Sequence, residues 1–140
     1  MNKIIQAISY LTIIFALGAV ALFIFWGLYP YNPIEFNQPH KIITKEVARG
    51  EHLIYEVDYC KNMTILPTIT KTFVDGIIYA IPEIVAVDRE VGCGVQQVSM
   101  YVPKALPTGE FYIKIIYHYQ VNPIRKIDVI TNTEKFTITK

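Results

Sequence analysis

Cysteine, histidine and serine, the residue types from which nucleophile–base pairs and soft-metal sites are most often built, are few in this chain: Cys60 and Cys93, His40, His52 and His118, and Ser9 and Ser99. Their surroundings point away from catalysis. Ser99 has no Gly-x-Ser-x-Gly flank, and Ser9 lies in an apolar run. His52 and Cys60 share one extended stretch, where a spacing of eight residues separates them by roughly 26 Å, far beyond the reach of a base on its thiol. No Cys-x-Cys or Cys-x-x-Cys occurs, and no histidine follows Cys93 before His118, so neither a copper-delivery pair nor a blue-copper ligand set can be assembled. His118, between Tyr117 and Tyr119, reads as a strand-face histidine. Glu56 with Asp58, and Asp88 with Glu90, stand at strand spacing. Without a glycine-containing, Asp-rich loop beside them, a solvated face is the preferred reading over acid–base chemistry or calcium. These observations predict no enzyme, with no catalytic, cofactor-binding or metal-ligating residue and no cofactor.

Three roles remain for Cys60 and Cys93. They can form a disulfide, stay as two separate thiols, or contribute to a metal pair, and the disulfide is preferred because two isolated cysteines are poor zinc evidence. In an oxidising compartment the bond would close a loop of about 34 residues, for which chain entropy gives roughly 3–4 kcal/mol.

The elements that must position these residues are strands. His52 to Cys60 alternates, with Leu53, Tyr55, Val57 and Tyr59 on one face and Glu56 and Asp58 on the other. Asp75-Gly76 between apolar β-formers is a hairpin signal. Further strands are expected at Lys41–Val47, Thr64–Thr72, Ile77–Ile81, Val95–Val102 and Phe111–Tyr119. Ile124–Ile130 and Glu134–Thr139 would close the fold as one bulged strand or two short ones. Strands at this spacing, with turns at Arg49-Gly50, Gly92-Cys93-Gly94, Pro107-Thr108-Gly109 and Asn122-Pro123, argue for a β-sandwich over residues 34–140.

Ahead of that domain, residues 1–33 form a tail and a membrane helix. No charged side chain occurs between Lys3 and Glu35. Tyr10 to Tyr29 as a helix would measure roughly 28 Å, against a hydrocarbon core of about 30 Å. Tyr10 at one end and Trp26, Tyr29 and Tyr31 at the other match the aromatic placement of a spanning helix, and Pro30 and Pro33 end it. Ala19-Val20-Ala21 offers a signal-peptide cleavage site, but the apolar run continues through Trp26 and exceeds a signal core, which favours an uncleaved anchor. Ala16, Gly18, Ala19 and Ala21 are small residues that permit close helix packing. Charge flanking the span is nearly balanced. A short N-terminal tail fits a signal-anchor with the N-terminus inside and the C-terminal domain extracytoplasmic.

All 12 acidic residues and 12 of the 13 basic ones follow Ile34. The domain is therefore near neutral, and its scattered Lys and Arg give no phosphate-tracking surface, so nucleic acid is not an expected partner. The lipid bilayer and a protein partner are.

The run Val102-Pro-Lys-Ala-Leu-Pro-Thr-Gly-Glu-Phe-Tyr112 resembles the loop entering the penultimate strand of immunoglobulin-like and fibronectin-type domains. The resemblance implies an immunoglobulin-like β-sandwich, all-β behind one N-terminal transmembrane helix, with Tyr112 as the tyrosine that ties down the corner. The antibody pattern departs here, since the single Trp lies in the apolar helix. Such domains serve adhesion, assembly and structure, so the fold leaves function open. The expected function is a non-enzymatic interaction or structural module, an accessory subunit of a membrane, envelope or phage-encoded assembly. Phe111, Tyr112, Tyr117 and Tyr119 would be its contact patch if their rings were exposed together. The alternative is a membrane-tethered ligand- or metal-binding domain in which Cys60, Cys93 and a histidine converge.

Overall fold

The computed structural model describes residues 2–81, 84–85 and 90–140. One helix, α1 (Asn2–Leu28), precedes eleven strands: β1 (Ile34–Phe36), β2 (Lys41–Ile42), β3 (Glu46–Ala48), β4 (His52–Lys61), β5 (Thr68–Val74), β6 (Ile78–Ala80), β7 (Ile84–Val85), β8 (Gly92–Tyr101), β9 (Gly109–Asn122), β10 (Arg125–Asn132) and β11 (Phe136–Thr139). The described residues divide into two compact units, one holding α1 through Tyr31 together with Asn122–Arg125, the other holding Asn32–Val121 and Lys126–Lys140.

In the first unit, α1 is uninterrupted over 27 residues and is long and apolar enough to cross a membrane. Most of its side chains are exposed, Leu11 by 72 % and Phe15 by 78 %, while Ala19 and Trp26 are half-buried. The Thr12 hydroxyl donates to the Ile8 carbonyl at 2.9 Å, which satisfies that hydroxyl inside the helix itself. At its C-terminus, where a helix leaves carbonyls without intrahelical donors, Arg125 donates to the Gly27 and Tyr29 oxygens at 2.9 and 2.7 Å, and the Asn122 amide donates to Trp26 O at 3.0 Å.

The second unit is an all-β sandwich of two sheets. In the smaller, β4 is the centre, flanked by β1 and β2 on one edge and by β8 on the other. In the larger, the order β3-β11-β9-β5-β6 is extended by β10 on β9 and β7 on β5. Alternation assigns the faces. Leu53, Tyr55 and Val57 of β4 and Phe111, Ile113, Ile115, Tyr117 and Tyr119 of β9 are all buried, while Lys114, Ile116 and His118 take the other face of β9. Aromatic rings fill the core: Phe73 meets Phe111 edge-on at 6.5 Å, and Phe36 stacks on Tyr117 at 4.6 Å.

The hairpin at Asp75-Gly76 forms as the sequence predicts. Val74 pairs with Ile78, Gly76 takes φ +107°, and Asp75 Oδ1 accepts the Ile77 N–H. The C-terminal segment resolves into two strands with Thr133 at the joint. Its buried hydroxyl accepts the Ile113 N–H at 2.9 Å and so stands in for a missing ladder bond. The stretch Lys41–Val47, expected as one strand, is two. Ile43 and Thr44 both donate to the Ile54 carbonyl, and the chain crosses there from β2 in the smaller sheet to β3 in the larger. Strand β1 carries no clear sequence signal, because prolines at 33 and 39 flank it.

Candidate functional site

The structure gathers polar side chains in one place that the sequence scatters. On the outer face of the larger sheet, Thr68 pairs with His118 and Thr70 with Ile116, so the threonines of β5 stand beside the imidazole of β9. The short turn into β10 returns Asp128 to the same face. His118 Nδ1 lies 2.8 Å from Asp128 Oδ1, and its Nε2 lies 3.1 Å from Thr70 Oγ1. In the tautomer that donates Nδ1–H to the carboxylate, Nε2 accepts from the threonine hydroxyl. A depression of about 340 Å³ opens beside them, lined by Thr68, His118, Tyr119, Gln120 and Lys126.

This hydroxyl–imidazole–carboxylate order is that of a nucleophile, a base and an orienting acid. Its setting is different. Thr70 lies inside a strand whose ladder to β9 runs unbroken from Thr68 to Val74, so its neighbouring amides are hydrogen-bonded within the sheet rather than turned toward a developing oxyanion. The side chains of His118 and Asp128 are 34 % and 55 % exposed, so water reaches both. The group is suited to holding a polar ligand or to bracing β5, β9 and β10 together.

The other histidines are placed apart. His40 is buried and packs between Phe36 and Tyr55, with Nε2 3.0 Å from Thr131 Oγ1. It ties the segment before β2 to β10. His52 is exposed at the start of β4, with its ring against Tyr101. Glu56 and Asp58 lie on the outer face of β4, whereas Asp88 lies outside the described residues. Among the described residues, no cluster of three or more His, Cys, Asp or Glu could hold a metal ion. The hydrogen bond from Lys135 to Glu110, at 2.8 Å, and the carboxylate's charge hold the Lys135 ammonium above the usual lysine range.

Cys60 and Cys93 form a disulfide. They are direct register partners on β4 and β8, with Cα atoms 3.9 Å apart. The bond consumes both thiolates on which a Cys/Cys/His metal site would depend. The aromatic residues of β9 do not form a contact patch. Phe111, Tyr117 and Tyr119 are inside the sandwich at 0, 1 and 1 % exposure, and Tyr112, on the opposite face, is half-buried. Strand alternation separates them, as period two demands. Tyr112 pairs with Val74 as the last pair of the β5–β9 ladder. Gly18 in α1 has open space where a Cβ would be, and Ala16, Ala19 and Ala21 lie on the same helix with no second helix among the described residues.

Two features were not singled out from the sequence. Lys71 shares the inward face of β5 with Ile69 and Phe73, and its Nζ lies 5.7 Å from the centroid of the buried Tyr55 ring, a cation–π contact between the sheets. The alternation of Ile69, Lys71 and Phe73 carried that placement in principle. The second is β8. Its register with β4 is unbroken from His52↔Tyr101 to Lys61↔Gly92, and Val102 N donates to Glu51 O at 2.9 Å. The two-residue alternation of antiparallel ladders then turns the backbone groups of Gly92, Gly94, Gln96, Val98 and Met100 toward β4. Those of Cys93, Val95, Gln97, Ser99 and Tyr101 point outward, where no strand pairs with them among the described residues.

No family model matches the chain, and no curated protein does. Among solved structures, a Niemann-Pick type C2 protein from the Japanese carpenter ant is similar to it with a TM-score of 0.42 and 9 % sequence identity, over 79 % of this chain and 100 % of that one.

Proposed function

We propose that this chain is a non-enzymatic, single-pass membrane protein whose β-sandwich is an extracytoplasmic interaction or structural module, an accessory subunit of a membrane or envelope assembly. The observation that carries the reading is the presence in one chain of an uninterrupted apolar helix and a disulfide-bonded domain. A lipid-spanning helix tethers its domain to a membrane surface, and a disulfide persists on the oxidising side. The N-terminus then lies inside, with α1 as an uncleaved signal-anchor.

The test is alkaline extraction of membranes from the native host, followed by protease treatment of sealed cells or vesicles. The proposal expects full-length chain retained in the membrane and the domain digested only from the extracytoplasmic side. Release of a shortened chain into the soluble fraction contradicts it. Purification in mild detergent then identifies a stoichiometric protein partner.

A second reading, a tethered domain for a small polar ligand, is favoured by the depression beside His118. Native mass spectrometry of wild type and His118→Ala separates the two: a small molecule carried by the first and lost from the second supports ligand binding.

A further inference from the structure

Among the described residues, β8 is the longest edge strand, and its own sequence lacks the devices that keep edges from pairing. Protected edges are short, charged, proline-bearing or bulged. The other edges here follow that rule. β1 and β2 are fragments of three and two residues separated by Pro39, β6 and β7 have three and two residues, and β3 has three, with Glu46 in it and Lys45 and Arg49 flanking it. β10 is longer but carries Arg125, Lys126 and Asp128. In contrast, β8 has ten residues, Gly92-Cys-Gly-Val-Gln-Gln-Val-Ser-Met-Tyr101, with no charge, no proline and no break in register.

We infer that β8 is a homotypic docking edge at which a second copy of this chain adds its own β8 in antiparallel register, joining two small sheets into one. The inference rests on the membrane-anchored reading above for the confinement that brings copies together. Three observations select a second copy as occupant. First, the outward-facing backbone positions are the odd-numbered ones from Cys93 to Tyr101. Pairing about Gln97 sets Gln97 opposite Gln97, Val95 opposite Ser99, and Cys93 opposite Tyr101, so every outward N–H and C=O meets an outward partner. Second, the same positions carry the exposed apolar side chains of the strand, Val95 at 61 % and Tyr101 at 47 %, and the two-fold pairing brings each beside a small or apolar partner side chain. Third, a strand without charge meets no like charge in its own copy, a conflict that a charged edge would create. Two copies tethered to one bilayer raise each other's effective concentration without any further contact.

The Cys60–Cys93 bond belongs to this arrangement. It fixes β8 to β4 at the end opposite Tyr101, so the edge is presented in one register rather than sliding.

The experiment uses the full chain in phosphatidylcholine–phosphatidylglycerol vesicles, with Gln97→Cys and, as a control on the opposite edge, Lys41→Cys, each treated with a short bismaleimide. The expected result is roughly tenfold more dimer linked through position 97 than through position 41, the enrichment of fixed proximity over collision. Gln97→Pro in the wild-type background keeps the β4 ladder, because the Gln97 N–H points outward, and is expected to leave the melting temperature near wild type while abolishing dimer captured by lysine-reactive cross-linking. Equal yields from positions 97 and 41 overturn the inference, as does dimer that persists in a folded Gln97→Pro. Retention after an alkaline wash is scored on the same vesicles, so a retained but unpaired chain overturns the pairing alone.

Discussion

β4, at the centre of the smaller sheet, has two edges of opposite character. On one, β1 and β2 pair with it in fragments, at Tyr59–Lys61 and Tyr55–Glu56, with Pro39 between them. On the other, β8 pairs over ten consecutive residues and is closed by a disulfide. The first edge is where the chain passes from one sheet to the other, and His40 packs there between Phe36 and Tyr55. The second edge holds its strand in one continuous register, and among the described residues no strand pairs with its outer backbone groups. The contrast shows how one strand can be both a core element and a support: the broken edge closes the sandwich, and the continuous edge presents a template.

The strongest way to break that contrast is to remove the pin. Cys60→Ser with Cys93→Ser is expected to cost roughly 3–4 kcal/mol in denaturant unfolding of the full chain in detergent, from the loop the bond closes. β8 amides should lose protection first. A loss below about 1 kcal/mol would mean that β8 is held by its ladder alone, without help from the constraint.

Thr133→Val tests the joint between β10 and β11. It leaves the buried Ile113 N–H without its acceptor and should cost about 1–3 kcal/mol. His118→Ala removes the link between Thr70 and Asp128 on the outer face of the larger sheet. About 0.5–1.5 kcal/mol is expected, the net worth of ordinary partly exposed hydrogen bonds. Smallest in stability is Val95→Lys, within about 0.5 kcal/mol of wild type because the side chain is already in solvent. Yet the same change installs a charge on the continuous edge and makes it resemble the others. Self-association measured by fluorescence transfer between labelled chains in vesicles should fall with it while the melting curve stays in place.

The sequence made legible the features that depend on local period. Leu53, Tyr55 and Val57 alternate into the core as expected, Asp75-Gly76 makes its hairpin, and one apolar run becomes one helix. Less legible were features set by chain crossing. Lys41–Val47 has the composition of a single strand, but the chain leaves the smaller sheet after Ile42, and only packing against both sheets decides that. Thr70, His118 and Asp128 are 48 and 10 residues apart and carry no motif; the β5–β9 register and the turn into β10 bring them together. The aromatic run of β9 misled in the opposite sense, because Phe111, Tyr117 and Tyr119 share the buried parity of the strand while Tyr112 takes the other face. The openness of β8 follows from knowing its neighbours, although its lack of charge and proline was visible from the start.

The most direct test of the account is residue-resolved amide hydrogen exchange of β8 in full-length protein in vesicles, at low and high surface density. The account predicts that Val95, Gln97 and Ser99, whose N–H groups point away from β4, exchange fast at low density and become protected at high density, while Gln96 and Val98 are protected at both. Fast exchange of Val95, Gln97 and Ser99 at every density would contradict it.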